Sequence, residues 1–476
     1  MDPMIVVLCA LLSGTGMYFS LGLGEFWALA WLAPIPVLWL AFRPASGWKV
    51  FAAALAAGAI GGCNILPAYW GTLPSPVLAM GIVVPALAFA LSVMGARLVS
   101  RRVAPILGAI AFAALWTAFD YLLSLGENGT ALSPATSQVG MPFVIQSASI
   151  FGLWAVTFLI GFFAVSVAMF GATKQAQFAV LAIAVLPLNA GYGAWRIGTA
   201  PKSPVTHVGL AADDGLIGQG LKDNDDAALA VVKAYADAAR TLSAQGAGLI
   251  VFPEKVAQLR PKWRGAAKAE LETAAHIGHA TVIIGFDDNG AERRNTALVF
   301  FGNGGSPQEY VKRHLVPGLE SAFTPGTSFF MLAENAPRPP DGVTPGGTGV
   351  AICKDMDFPA MLRADQFFAP TLYAVPAWDF GKDRWWHARL AIMRGVENGF
   401  AVARAANDGL LTLSDAYGRV LAQRPSAEGG MVLLQGDLPR GPGVTLYGRI
   451  GDAFAWICAA LSVLLLGVAA FARKPD

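Results

Sequence analysis

Three residues that could act together in chemistry follow apolar segments in the second half of the sequence. Glu254 ends the segment VFPE, Lys312 follows EYV, and Cys353 ends GVAIC. A thiol attacks well only as a thiolate, so it needs a base to take its proton and a cation to hold charge. A carboxylate and an ammonium group supply these two functions. Each residue alone has an ordinary alternative, a solvated strand end for Glu254 and Lys312 and a small buried hydrophobe for Cys353.

The other reactive residue types give weaker signals. Cys9, Cys63 and Cys458 lie in long apolar runs and form no disulfide framework, so Cys353 is the cysteine with a polar setting. No Gly-x-Ser-x-Gly elbow occurs, and the five histidines lack metal-binding spacing. No metal and no organic cofactor is therefore expected. The net charge of +2 gives no reason to expect a nucleic-acid partner.

The composition is that of a membrane protein. Of the 476 residues, 55% are hydrophobic and 14% are charged, against about 25% charged in soluble domains. Runs long enough to cross a bilayer, about 17–25 residues, lie near 4–22, 26–42, 50–70, 76–96, 104–124, 146–170, 177–195 and 453–472. We therefore predict eight transmembrane helices. Pro34 and Pro36 in the second run and Pro187 in the seventh predict kinked or short helices there.

A change in composition near residue 200 divides the chain. We predict a seven-helix transmembrane domain at 1–200, a soluble domain at 201–445, and a C-terminal transmembrane helix with a tail at 446–476. The soluble segment alternates short apolar strands with charged helical stretches, such as the strand 206–212 and the helix 225–243. This alternation favours a layered α/β fold over an all-β sandwich.

Basic residues in the short loops predict the orientation in the membrane. The loops after the first, third and fifth predicted helices, near 23–25, 71–75 and 125–145, contain no Lys or Arg. The loops after the second, fourth and sixth helices, together with the end of the chain, contain Arg43, Lys49, Arg97, Arg101, Arg102, Lys174, Arg473 and Lys474. Because such residues stay in the cytoplasm, both termini are expected there and the soluble domain on the opposite face. In a bacterium this is the periplasmic side of the inner membrane.

The motifs resemble those of a known superfamily. VFPE, YVKRHLVPGLE and VAICKDMDFP look, in this order, like the Glu, Lys and Cys motifs of the nitrilase (carbon–nitrogen hydrolase) superfamily. A domain of this kind between seven helices and one resembles the apolipoprotein N-acyltransferase family of bacterial membrane enzymes, which add the third acyl chain to lipoproteins. The resemblance covers nearly the whole chain and implies an αββα sandwich for the soluble domain.

The resemblance also implies roles for individual residues. Glu254 matches the general base, Lys312 the lysine that stabilises the oxyanion, Cys353 the nucleophile, and Glu320 a supporting glutamate. The implied reaction moves an acyl chain from a phospholipid to Cys353 as a thioester. The chain then passes to the α-amino group of a diacylglyceryl-cysteine lipoprotein. A monomer embedded in the membrane is expected, with these two lipids as its partners.

Departures from the family pattern leave alternatives open. Lys354 and Asp355 follow the nucleophile where the family has Tyr-Glu, and Phe252 stands where Trp is usual. A membrane-tethered amidase or hydrolase of the nitrilase type therefore remains an alternative, as does an acyltransferase with a different acceptor. A third alternative is a catalytically inactive binding scaffold, although the complete triad argues against it.

Substrate contacts are less well defined by the sequence. Lys354 is a candidate neighbouring cation that lowers the pKa of the thiol, and a solvated lysine at a strand end is its alternative. Trp378 and Trp385 are candidates to line a groove that faces lipid. Packing in the core of the soluble domain is the alternative for both tryptophans.

Overall fold

The structure, a computed structural model, describes residues 1–332 and 346–472. The chain divides into two compact units. One unit comprises Met1–Ala200 and Arg449–Asp476, and the other comprises Pro201–Gly448. Arg473 and Lys474, which entered the prediction of orientation, lie outside the described residues.

The first unit is helical. In chain order its helices before the second unit are α1 Pro3–Ser20, α2 Trp27–Leu32, α3 Ile35–Phe42, α4 Gly47–Gly62, α5 Leu66–Tyr69, α6 Ser75–Arg102, α7 Pro105–Ser124, α8 Pro142–Ile145, α9 Ala148–Phe151, α10 Leu153–Thr173 and α11 Ala176–Gly198. Within the described residues, seven helical spans are long and apolar enough to cross a membrane. These spans are Pro3–Ser20, Gly47–Tyr69, Ser75–Arg102, Pro105–Ser124, Leu153–Thr173, Ala176–Gly198 and Ala453–Phe471.

The predicted count of eight transmembrane helices is not confirmed, because the second run differs. Residues 26–42 form α2 and α3, separated by a turn at Ala33 and Pro34. Pro34 and Pro36 lack the amide hydrogens that a continuous helix would need. Val37 and Leu38 in α3 are fully buried, so this broken segment lies inside the helical unit. The seventh predicted run, by contrast, forms the single helix α11 in spite of Pro187.

The second unit alternates strands and helices. In chain order these are β1 Val205–Ala212, α12 Asp225–Ala244, β2 Leu249–Val251, β3 Ala257–Leu259, α13 Pro261–Gly278, β4 Thr281–Asn289, β5 Arg293–Phe300, β6 Gln308–Val311, β7 Met331–Leu332, β8 Thr348–Val350, α14 Pro359–Ala364, β9 Leu372–Trp378, α15 Arg384–Asn398, β10 Ala401–Asn407, β11 Leu410–Ser414, β12 Val420–Pro425 and β13 Val432–Pro439. The chain continues with α16 Leu446–Ile450 and α17 Ala453–Phe471.

Two sheets form the centre of this unit. The first contains strands in the order β13-β1-β2-β4-β5-β6, with β3 paired to β4, and the second the order β12-β11-β10-β9-β8-β7. Apolar side chains of both sheets, such as Val251 and Ala403, share one core. α12 and α13 cover the outer face of the first sheet through Val232 and Leu271, and α15 covers the second through Ala391. The predicted αββα sandwich is confirmed.

Parallel strands bring the carboxyl ends of several elements to one edge of the sandwich. β1, β2 and β4 are parallel in the first sheet, and β8, β9 and β10 are parallel in the second. Glu254 follows β2, Cys353 follows β8, and Trp378 ends β9. Because ligand sites in such folds form beyond the carboxyl ends of parallel strands, this edge is where a site is expected.

Candidate active site

Glu254 lies in a turn that packs against both sheets. β2 ends at Val251, and Glu254 is only 1% exposed. Gly285 of β4 holds the turn from one side, because its amide donates to Pro253 O (2.9 Å). The amide of Glu254 itself donates to Ala377 O of β9 (3.2 Å). The carboxylate is therefore positioned by strands of both sheets.

Lys312 joins two buried carboxylates. It follows β6, its amide donates to Asn295 O of β5 (2.9 Å), and its side chain is fully buried. Its Nζ lies 2.8 Å from Glu254 Oε1 and 2.9 Å from Glu320 Oε2. Burial alone would lower the pKa of Lys312, but the two carboxylates outweigh it and raise this pKa well above its usual range. Lys312 is therefore a permanent ammonium group.

Glu320 is the second carboxylate of this cluster and is 1% exposed. Its oxygens accept from Asn295 Nδ2 (2.7 Å) and from the amide of Val316 (2.9 Å). Burial opposes its ionisation, but Lys312 and Lys255 lower the pKa of Glu320 to about 2. Since this is below the ordinary value, ionised Glu320 stabilises the fold above about pH 4.5 and loses this effect as the pH falls towards 2.

Cys353 begins a short 3₁₀ turn, Cys353–Asp357, directly after the segment that contains β8. Its φ of 44° lies in the left-handed region, which costs a non-glycine residue about 1–2 kcal/mol. Cys353 as a whole residue is partly exposed, and its Sγ donates to Trp378 O at 3.5 Å. Backbone strain at such positions is characteristic of functional sites.

The thiol and the Glu254–Lys312 pair interact electrostatically. Burial raises the pKa of Cys353 above its ordinary value, the charge of Glu254 raises it further, and the ammonium of Lys312 opposes this rise. Cys353 is therefore a protonated thiol at neutral pH. A group of this kind needs a base to take its proton as it attacks, and Glu254 is a buried carboxylate whose charge acts on this thiol. The structure thus brings together the three residues that the sequence singled out.

Asp355 anchors the nucleophile turn to the lysine loop, and the sequence analysis noted it only as a departure. It is fully buried. Its Oδ2 accepts from Tyr310 Oη (2.7 Å) and the amide of Ile352 (2.9 Å), and its Oδ1 accepts from the amides of Arg313 (3.1 Å) and His314 (2.8 Å). One carboxylate therefore fixes the segment after Lys312 against the segment around Cys353.

Asn295 and Lys255 also belong to the site, and the sequence analysis missed both. Asn295 Nδ2 donates to Glu254 Oε1 (2.6 Å) as well as to Glu320. Lys255 Nζ lies 2.7 Å from Glu320 Oε1. The sequence held only a weak signal for Asn295, which follows two arginines and precedes the apolar part of β5. Its role depends on the polar partners that a buried amide needs.

A buried ion pair follows the strand that contacts the thiol. Arg404 of β10 binds both carboxylate oxygens of Asp379, which comes directly after Trp378. Arg404 is 2% exposed and Asp379 is fully buried. The Asp379 charge raises the pKa of Cys353 and the Arg404 charge lowers it, both less than burial does. The pair thus stiffens the end of β9, and its two charges have opposite effects on the pKa of Cys353.

The predicted substrate-binding residues have different positions. Lys354 is 9% exposed, and its Nζ lies 3.4 Å from Asp357 Oδ2, so it is not a solvated strand-end lysine. Trp378 contacts the thiol through its carbonyl group and lies 5.5 Å from Lys255 Nζ through its ring. Trp385 is partly exposed near the start of α15. A contact between any of these residues and a substrate stays a prediction.

Gly285→Ala is expected to displace the Glu254 turn. A Cβ at this position would lie 2.5 Å from Glu254 Cα and 2.7 Å from Pro253 O, and neither atom belongs to a flexible side chain. We expect a loss of about 1–3 kcal/mol in the free energy of unfolding in detergent. Alkylation of Cys353 by iodoacetamide, measured by peptide mass spectrometry, should also be slower. Unchanged stability together with unchanged alkylation would contradict this account of the turn.

Gly265→Ala is the matched control for that substitution. Gly265 is exposed within α13, and nothing lies within 4 Å of the position a Cβ would take. This variant should gain about 0.5–1 kcal/mol, because alanine favours a helix interior. Its Cys353 alkylation rate should equal that of the unmodified chain.

Asp355→Asn is expected to loosen the connection between the lysine loop and the nucleophile turn. The amide replaces one accepting oxygen with a donor, which then faces donors from the protein. We expect a loss of at least about 2–3 kcal/mol in unfolding free energy. Asp437→Asn, at a side chain that is 75% exposed beside His207, should change it by less than about 0.5 kcal/mol. Similar losses in the two variants would refute the anchoring role.

Comparison with known proteins gives matches along both units. A family model described as apolipoprotein N-acyltransferase N-terminal domain matches residues 13–166, and one described as carbon-nitrogen hydrolase matches residues 217–441. An apolipoprotein N-acyltransferase from Geobacter metallireducens is 27% identical over 98% of this chain and 95% of its own. One from Haemophilus ducreyi is 25% identical over 99% of this chain and 98% of its own.

A solved structure is similar to part of the chain. It is a Nesterenkonia amidase from the nitrilase superfamily, with a TM-score of 0.41 and 22% identity over 55% of this chain and 99% of that chain.

The apolar helices and the bacterial relatives make the protein a multi-pass bacterial membrane protein. With both family models matched in order and relatives that cover nearly its full length, the chain is similar to apolipoprotein N-acyltransferases along almost all of its residues.

Proposed function

We propose that this protein is an N-acyltransferase that uses Cys353 as a nucleophile. It takes a fatty acyl chain from a phospholipid and transfers it to the α-amino group of a diacylglyceryl-cysteine lipoprotein. The observation that carries the proposal is the buried contact between Lys312 Nζ and Glu254 Oε1, at 2.8 Å, with both charges acting on the Cys353 thiol. Base, cation and nucleophile are the three groups that a thioester mechanism requires.

In the first half-reaction, Cys353 attacks the carbonyl carbon of a phospholipid ester. The thiol proton passes to Glu254 as the S–C bond forms, which a thiol of raised pKa needs. Among the described residues, Glu254 and Glu320 accept two of the three Nζ–H bonds of Lys312, and the third would donate to the oxyanion. When the intermediate collapses, the ester C–O bond breaks. The leaving alkoxide takes the proton from Glu254, and lysophospholipid departs.

In the second half-reaction, the amine of the lipoprotein cysteine attacks the thioester. Glu254 accepts a proton from the amine, and the C–S bond breaks as the amide forms. The thiolate then regains its proton from Glu254. Burial of Glu254, Lys312 and Glu320 keeps the polar side of the site dry. This protects a thioester from hydrolysis and leaves the amine as the effective second nucleophile.

Basic residues gathered at one end of the helical unit support an orientation in the membrane. Buried Arg97, near the end of α6, donates to the carbonyl group of Ala41 near the end of α3. Arg102 donates to Ala469 O near the end of α17, at 3.2 Å. The C-terminal ends of three helices, α3, α6 and α17, therefore lie on the same side of the helical unit. This is expected if the broken segment α2–α3 also crosses the bilayer. Cations at helix C-termini are favourable in themselves.

With the positive-inside rule, this end lies in the cytoplasm. Seven crossings before residue 201 then bring the catalytic unit to the periplasmic face of the bacterial inner membrane. Both proposed substrates, a phospholipid and a diacylglyceryl lipoprotein, are anchored in that membrane. The proposal needs only one copy of the chain, since every proposed catalytic side chain comes from residues 254–353.

Removal of the Cys353 thiol is expected to abolish transfer. Reconstituted with labelled phospholipid, the unmodified chain should form a labelled adduct that peptide mass spectrometry locates at Cys353, and a diacylglyceryl peptide should then receive the label. Cys353→Ala should form no adduct. Cys353→Ser should lose turnover by about 10³-fold or more, because an alkoxide is much harder to generate than a thiolate. Cys63→Ala, at a partly exposed cysteine of the helical unit, should keep full activity.

The same assay separates the proposed acyltransferase from its alternatives. Adduct formation followed by release of free fatty acid, with the peptide amine never acylated, would indicate a hydrolase instead. Near-normal turnover in Cys353→Ser would remove this residue from the mechanism. Absence of any adduct with the unmodified chain would favour a binding scaffold.

A further inference from the structure

Lys255 is a second lysine at the buried carboxylates, and the proposed mechanism gives it no role. It follows Glu254 directly and has a φ of 48°, a backbone conformation that costs a non-glycine residue about 1–2 kcal/mol. Its Nζ lies 2.7 Å from Glu320 Oε1 and 3.9 Å from Glu254 Oε1. Its side chain is 18% exposed, whereas Lys312 is fully buried. The strained turn thus directs a second ammonium group toward Glu320 from the more open side.

The charges of the cluster explain why a second cation is needed. Glu254 and Glu320 are close enough that Asn295 Nδ2 donates to both, at 2.6 and 2.7 Å. Two carboxylates at this separation repel each other, and such a pair tends to keep one proton. Lys312 alone would leave one uncompensated negative charge in a buried site, which is costly. Lys255 brings the cluster to two ammonium groups for two carboxylates.

We infer that Lys255 is a positioning residue that keeps Glu320 ionised, so that Glu254 is the carboxylate that exchanges a proton with Cys353. The inference rests on the proposed function in the role that it gives to Glu254. Lys255 Nζ is closer to Glu320 than to Glu254, at 2.7 Å against 3.9 Å, and it therefore stabilises the charge of Glu320 more. The low pKa of Glu320 agrees, since burial opposes ionisation while Lys312 and Lys255 favour it.

The surroundings hold Lys255 in this position. Its Nζ lies 5.5 Å from the ring centroids of both Phe323 and Trp378, and cations are attracted to such aromatic faces. Arg293 lies 4.5 Å from the Phe323 ring. Among the described residues, the charged or titratable groups near the cluster include Lys312, Cys353, Asp355 beside the loop after Lys312, Arg293 with Asp287, and Arg404 with Asp379. Both arginines are paired with their own carboxylates and do not replace Lys255 at Glu320.

The reaction would depend on this arrangement. An ionised Glu320 holds one Nζ–H bond of Lys312 and Glu254 holds another, which leaves the third for the oxyanion. Without Lys255, the two carboxylates would share a proton at neutral pH. A proton shared in this way would compete with the proton that Cys353 must deliver, and this competition would weaken as the pH rises.

Lys255→Met tests this inference through the pH dependence of Cys353 reactivity. Full-length protein in detergent is treated with iodoacetamide between about pH 5 and 9, and peptide mass spectrometry measures the alkylation rate constant of Cys353. We expect the acid limb of the profile to move up by about one pH unit or more in Lys255→Met. At the alkaline end, the rate should be within about threefold of that of the unmodified chain. Lys255→Arg, which keeps the charge, should largely restore the original profile.

Lys262→Met is the matched control. Lys262 is 84% exposed in α13 and its Nζ lies 3.4 Å from Asp225, so this variant should keep the original acid limb. An unmoved acid limb in Lys255→Met would overturn the inference. An equal loss of rate at every pH would also overturn it, because that result indicates a structural role. If Lys255→Met does not fold, Lys255→Gln is judged by the same two criteria.

The test is independent of acyl transfer, because alkylation uses no lipid. Failure of the phospholipid and peptide assay would refute the proposed function and leave the alkylation profiles interpretable. Failure of the Lys255 comparison, with acyl transfer intact, would refute this inference alone.

Discussion

The buried cluster of Lys312 with Glu254 and Glu320 is the constraint on which the rest of the site depends. Removing these charges from water costs several kcal/mol per ion, and the cost is offset only if each charge keeps close partners. The structure meets this requirement with contacts of 2.6–2.9 Å to Asn295 and between the three side chains. Glu254 is also held through its amide by β9 of the opposite sheet. The sandwich must therefore be assembled for the cluster to form.

A second buried carboxylate extends this constraint to the nucleophile. Asp355 accepts hydrogen bonds from both the lysine loop and the nucleophile turn, so the positions of Lys312 and Cys353 are not set independently. Cys353, with its left-handed backbone, lies between Ile352 and Asp355, which are joined by one of these hydrogen bonds. The Cys-Lys-Asp sequence differs from the usual family pattern. Its third residue, Asp355, has a structural role, because it joins the lysine loop to the nucleophile turn.

The sequence predicted the layered fold and the three central residues, since apolar periodicity and motif order are local signals. The predicted strand 206–212 and helix 225–243 agree with β1 and α12 to within one residue. The partners of the cluster were missed because they depend on contacts across strands: Asn295 lies after two arginines in β5, a setting typical of a solvated strand. The broken second segment was indicated by its prolines, but its burial inside the helical unit depends on packing that hydropathy does not report.

The raised pKa of Cys353 fits the proposed chemistry better than a permanent thiolate would. A protonated thiol is oxidised and alkylated more slowly than a thiolate would be, since the thiolate is the reactive form in both reactions. Glu254 can take the proton only if it is ionised, and Lys312 can stabilise an oxyanion only if one of its donors is unoccupied. Two carboxylates and two lysines satisfy both conditions. Lys255 stays paired with Glu320, while Glu254 exchanges a proton with the thiol and the substrate, and Lys312 remains an ammonium group beside it. The thiol therefore becomes a strong nucleophile only while Glu254 takes its proton.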